Sequence, residues 1–102
     1  MSTTKIVIIW SDAAKADLKF LHERILFKTK SLANSNNVKR DIIEASKKIT
    51  FLEQYQVDEF LGDPYRRIIV RHFKIIYVPL NESTISILKI FDTYQSPEKL
   101  KK

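Results

Sequence analysis

Residues 65–77 read YRRIIVRHFKIIY, and no other stretch restricts how this chain can fold as tightly. Val, Ile, Phe and Tyr favour the pleated, half-buried surface of a sheet, and side chains along a strand point alternately to its two faces. Tyr65, Arg67, Ile69 and Arg71 then share one face, and Arg66, Ile68, Val70 and His72 the other. Neither face is wholly apolar. The segment must form strands, yet it carries Arg66, Arg67, Arg71, His72 and Lys74 with no acidic residue among them. One edge or end of the sheet is therefore expected to stay wet and positive.

The flanks follow from that segment. Strands at 65–71 and 73–78 leave room only for a very tight hairpin around Arg71 and His72. Neither residue favours the positive φ of the preferred hairpin turns, so the turn is expected to be strained or longer than it looks. Upstream, Gly62 is the single glycine of the chain and sits in a Gly-Asp-Pro turn. Downstream, Pro79, Asn81 and Glu82 make the next turn. A last strand at 84–91 sets Ile85, Ile87, Lys89 and Phe91 against Ser86, Leu88 and Ile90. Residues 92–102 close with a Ser96-Pro97 break and a basic tail of Lys99, Lys101 and Lys102.

The first half is helical apart from a short buried strand at 5–10. Ser11 and Asp12 offer N-cap oxygens. Ala14, Leu18, Leu21, Ile25 and Leu32 recur at spacings of three, four or seven, which predicts an amphipathic helix from 12 to about 31, its apolar stripe widened by Phe20 and Phe27. Residues 31–37 read as a polar hinge in which Asn36 or Asn37 caps a second helix. That helix runs to about Tyr55 through Val38, Ile42, Ala45, Ile49 and Leu52, with Glu44 and Lys48 as a favourable pair. Two such helices form an antiparallel hairpin. The expected fold is α+β: an N-terminal strand, a helical hairpin and a three-stranded antiparallel meander, with the helices on one face of the sheet. The expected core holds Leu18, Leu21, Ile25, Ile42, Ile49, Leu52, Ile76 and Ile87.

At 102 residues this is one domain, spanning 1–102, large enough to bury a core without a cross-link. Eighteen Lys and Arg against twelve Asp and Glu leave a net charge of +6, which suits a polyanionic partner or simply a solubilising surface. With no cysteine and two isolated histidines, neither a disulfide framework nor a metal site is expected, and no cofactor either. The apolar run from Ile6 to Trp10 is too short for a membrane span, so a cytoplasmic protein without membrane attachment is expected.

The order strand, helix, helix, three strands resembles the RelE/ParE superfamily of type II toxin-antitoxin toxins, over nearly the whole chain. The residues that carry the likeness are Ser11-Asp12-Ala13-Ala14 with Asp17-Leu18, the arginine-rich strand, Ile75-Ile76-Tyr77, and Ile90-Phe91-Asp92-Thr93 with Gln95 and Pro97. The resemblance implies a compact sheet packed on a helical hairpin and a small cognate antitoxin that silences the toxin. One branch of that superfamily cleaves messenger RNA on the ribosome, and another poisons DNA gyrase. A homodimer and a hetero-oligomer with the antitoxin are both compatible with the resemblance.

Metal-free cleavage of RNA needs a group to activate the 2'-hydroxyl, positive charge around the phosphate, and an acid for the leaving oxygen. Arg66, Arg67 and Lys74 are the candidates for charge, and Arg71, His72 and Tyr65 are further candidate binding residues. Only His72 nearby has an ordinary pKa suited to proton transfer at neutral pH. Tyr77 or Tyr94 could stack on a base or donate a proton, although a core role for Tyr77 and a solvated turn for His72 are the plainer readings. The nucleases that the chain resembles carry an arginine at about the place of Tyr94, and another where this chain has Lys74. A tyrosine cannot contact a phosphate through two parallel donors. Enzyme status is therefore left open between a gyrase-directed toxin, a ribosome-dependent nuclease and, more weakly, a degenerate toxin fold that only binds its antitoxin.

Overall fold

The computed structural model describes residues 5–94, so Gln95, the Ser96-Pro97 break and the basic tail of Lys99, Lys101 and Lys102 lie outside the described residues. The elements are β1 (Val7–Trp10), α1 (Asp12–Thr29), α2 (Leu32–Lys47), β2 (Arg66–Val70), β3 (Phe73–Asn81) and β4 (Thr84–Asp92). Ser11 joins the first two through one side chain. Its Oγ accepts from the Ala14 amide at 3.0 Å, capping α1, and donates to the Leu88 carbonyl at 3.0 Å, pinning the helix start to β4.

The helical hairpin is tighter than expected. Lys30, with φ 57°, ends α1, and the Ser31 hydroxyl accepts from the Asn34 amide at 3.0 Å to begin α2. Residues 31–37 are thus the cap and first turns of α2 rather than a hinge. Buried Ser35 donates to the His22 carbonyl at 2.6 Å and fastens the two helices together. The far end of α2 is also corrected, since it stops at Lys47 and not near Tyr55. There the Gln54 carboxamide folds back, accepting from the Thr50 amide at 2.6 Å and donating to the Lys48 carbonyl at 3.1 Å. Ile49 and Leu52 still reach the core from the loop. A further correction falls on the expected apolar stripe: Ala14, Leu18 and Leu21 of α1 are buried, but Phe20 and Phe27 are 59% and 74% exposed, and Leu32 begins α2 and is exposed. The buried stripe of α1 is only as wide as its contacts with β4 and α2.

The four strands lie in the order β1-β4-β3-β2. The antiparallel meander β2-β3-β4 is as expected, but β1 runs parallel to β4, so the sheet is mixed. β4 has one open edge after β3 is paired, and β1 occupies its first half, from Thr84 to Ile87. Past that point Asp17 of α1 takes over, its Oδ2 accepting from the Ile90 amide at 3.0 Å. A register shift opposite Ile76 and Tyr77 leaves Leu88 without a partner. This bulge breaks the simple alternation expected along β4, so Ile90 joins Ile85, Ile87, Ile75 and Tyr77 in the core. Pro79 is likewise part of β3 rather than of a turn, at a second irregularity where a missing amide is tolerated.

Candidate functional site

The expected tight hairpin is real and strained. Val70 faces Phe73, so Arg71 and His72 alone make the turn, with Arg71 at φ 56° in the left-handed region that a bulky residue rarely adopts. The Arg71 guanidinium donates to Asp41 of α2 through Nε at 2.9 Å and Nη2 at 2.7 Å, both onto Oδ2. The turn is thereby tied to the helical layer. His72 is tied to the end of β4: its carbonyl accepts from the Thr93 amide at 2.8 Å and the Thr93 hydroxyl at 2.7 Å.

Those two ties assemble an aromatic and ionic cluster. The Tyr94 ring lies on the His72 ring with centroids 4.2 Å apart and planes 1° from parallel, while His72 leans on Phe73 at 4.1 Å. Asp92 accepts from the Tyr94 amide at 3.0 Å and stands 3.7 Å from His72 Nε2 and 4.0 Å from Arg24 Nη2. The cluster stands at a cavity of about 510 Å³, lined by Phe20, Arg24 and Lys28 of α1 as well as by Arg71, His72 and Tyr94.

The remaining candidates go elsewhere. Lys74 is buried with its Nζ 2.7 Å from Asp58 Oδ1 and 4.9 Å from the centre of the Phe60 ring. Asp58 Oδ2 accepts from the amides of Phe60 at 3.1 Å and Leu61 at 2.9 Å. Burial pushes the Asp58 carboxyl up, but the Lys74 ammonium and those two amides outweigh it and hold the carboxyl below its ordinary value. Arg66 donates to the Tyr55 carbonyl at 2.7 Å, and Arg67 to Gln56 Oε1 at 3.0 Å. Tyr65 is half-buried, its amide on the Gly62 carbonyl at 2.9 Å. The loop from 55 to 65 thus folds along β2 and holds three of the expected cations. Tyr77 is core: its hydroxyl donates to the Leu52 carbonyl at 3.0 Å and receives the Tyr55 amide at 3.4 Å. Burial raises its pKa, so the phenol is neutral at physiological pH.

His72, Arg71 and Tyr94 are therefore brought together, whereas Arg66, Arg67 and Lys74 are distributed over the loop contacts. Sequence reasoning missed Arg24, Lys28 and Asp92 as members of the cluster. A signal did exist, because Phe20, Arg24 and Lys28 recur every four residues and so share one ridge of α1. Reading Phe20 as part of the apolar stripe hid that ridge.

Comparison with known proteins bears on this arrangement. The sequence matches the family model for the ParE toxin of the type II toxin-antitoxin system, parDE, over residues 8–97. No curated protein matches it. A solved chain of the chromosomal ParDE TA system from P. aeruginosa superposes with a TM-score of 0.71 at 16% identity, covering 88% of this chain and 98% of that one. At that identity the likeness is one of fold.

Proposed function

This chain belongs to the ParE toxin family of type II toxin-antitoxin systems, and from that premise we propose that it arrests growth by binding DNA gyrase and is neutralised by a cognate antitoxin. The observation that carries the choice of target is the separation of Arg66, Arg67 and Lys74, the cations expected at a scissile phosphate, onto three different loop partners. Cleavage of RNA requires positive charge preorganised around one phosphate, but Lys74 is paired with buried Asp58 and Arg66 is anchored on a loop carbonyl. A surface that inhibits by association needs no such convergence. Tyr65, Arg67, Arg71 and His72, spread along the edge strand β2 and the hairpin that follows it, are the residues proposed to contact the target, where charge speeds encounter and fixes orientation.

The test sets the two targets side by side. Purified toxin is added to a gyrase supercoiling reaction, and transcript 5' ends are mapped in cells expressing it. Loss of supercoiling together with DNA-damage signalling and intact transcripts is the expected result. Codon-phased cleavage of ribosome-bound messages with gyrase unaffected would overturn the proposal and return Arg66, Arg67, Lys74 and Tyr94 to a catalytic role.

A further inference from the structure

The feature that the gyrase reading leaves unexplained is Tyr94. The residue is 81% exposed, yet its ring is held flat by a parallel stack on His72, and its backbone is fixed by Asp92. An exposed aromatic residue normally samples several rotamers, since nothing outside the protein restrains it. Here one face of the ring is occupied by the imidazole and the other is presented to solvent. That is the geometry of a stacking platform, and every nucleobase has a π-face able to complete it.

The surroundings supply the rest of a nucleotide's chemistry. Lys28 and Arg24 line the adjoining cavity together with Arg71. Lys28 forms no ion pair among the described residues, and Arg71 uses only Nε and Nη2 on Asp41, which leaves further guanidinium donors unused. The volume of about 510 Å³ is within the range of small-molecule sites. Asp17 and Asp92 also line the cavity, but both are engaged, Asp17 by Lys89 and the Ile90 amide, Asp92 by Arg24, His72 and the Tyr94 amide. Phosphate is therefore directed away from them and toward Lys28 and Arg71.

We propose that Tyr94, stacked on His72, and the adjoining cations Lys28 and Arg71 form a binding site for a nucleobase bearing a phosphate, supplied by a free nucleotide or by a single strand. The site shares Arg71 and His72 with the proposed gyrase surface, but its test does not depend on gyrase, because binding is measured on the purified protein alone. Adenosine, adenosine 5'-monophosphate and an oligodeoxyadenylate of eight bases would be titrated by calorimetry, with the His72 ring protons followed by NMR. Ring-current shifts at His72 are expected, along with wild-type affinity in Tyr94→Phe and a loss of about tenfold or more in Tyr94→Ala. Lys28→Ala should weaken the nucleotide and leave the nucleoside unchanged. Equal affinity for mononucleotide and oligomer would identify a free nucleotide as the ligand, and a much tighter oligomer a strand. Absence of binding by all three probes, or a Tyr94→Ala variant that binds as the wild type does, would overturn the site. Adenosine binding as tightly as its monophosphate would remove the phosphate from it.

Discussion

Lys74 Nζ lies 2.7 Å from Asp58 Oδ1, with the two side chains 5% and 1% exposed. The cation that sequence placed on a basic face is committed to the interior, where it fastens the 56–65 loop over the sheet. Among the described residues, no other donor reaches Asp58 Oδ1. Asp58→Asn would strand a buried ammonium, and breaking one side of such a pair costs about 3–5 kcal/mol. Denaturant unfolding of this variant, and of Asp58→Asn combined with Lys74→Met, provides the check. The double variant should recover most of the loss. A single variant as stable as the wild type would show the pair to be dispensable.

The same pair sets a pH dependence. Asp58 has a folded pKa below its unfolded value of about 3.8. A carboxyl shifted in that direction stabilises the fold above the unfolded value and loses the contribution as pH falls through the folded one. Acid titration of stability should therefore fall more steeply below about pH 4 in the wild type than in Asp58→Asn. Parallel curves for the two proteins would contradict this.

Tyr77 is a structural residue, and its hydroxyl joins the loop after α2 to the centre of the sheet. Tyr77→Phe leaves the Leu52 carbonyl without its donor and the Tyr55 amide without its acceptor, a loss of about 1–3 kcal/mol. Thermal unfolding would report it as a lower midpoint, with toxicity falling only as far as the folded fraction does. A large loss of toxicity at unchanged stability would instead point to chemistry at the phenol.

Arg71 sits at φ 56° and is held there by Asp41. Arg71→Ala keeps the strained backbone without the ion pair, whereas Arg71→Gly removes the penalty of the left-handed region, about 1–2 kcal/mol per residue. The glycine variant should therefore be the more stable of the two by about 1 kcal/mol. The reverse order would mean that the turn does not hold this conformation in solution.

Arg66 now carries a different expectation from its neighbour. Because it anchors the Tyr55 carbonyl at 2.7 Å, Arg66→Glu should lower stability by about 1–3 kcal/mol as well as alter surface charge. Arg67→Glu is the cleaner probe of charge at the sheet end. Circular dichroism melts separate the two effects, and an unshifted melt for Arg66→Glu would count against the anchor.

Local physical rules decided much of this protein from sequence alone. The period of Ala14, Leu18 and Leu21 forms a helix on whatever the helix packs against, and Ser11 caps it because its hydroxyl is in reach of the third amide onward. The β-branched run through Ile75 to Tyr77 could only be a strand, and the turn at Arg71-His72 had to be either strained or longer than it looked, a choice the structure settled with Arg71 at φ 56°. The resemblance to the toxin superfamily was carried by the same ordered elements, and family membership agrees with it. Tertiary structure decided what depends on neighbours distant in sequence. β1 runs parallel to β4 because one sheet edge was left open, and Leu88 bulges because the two halves of β4 pair in different registers. Phe20 and Phe27 have the right spacing for a core but face beyond the reach of the sheet. Lys74 lies in the same run of cations as Arg71, yet one is buried against Asp58 and the other turned out toward Asp41. A side chain's charge is a property of the sequence, but its partner is set by which loop the folded chain lays across it.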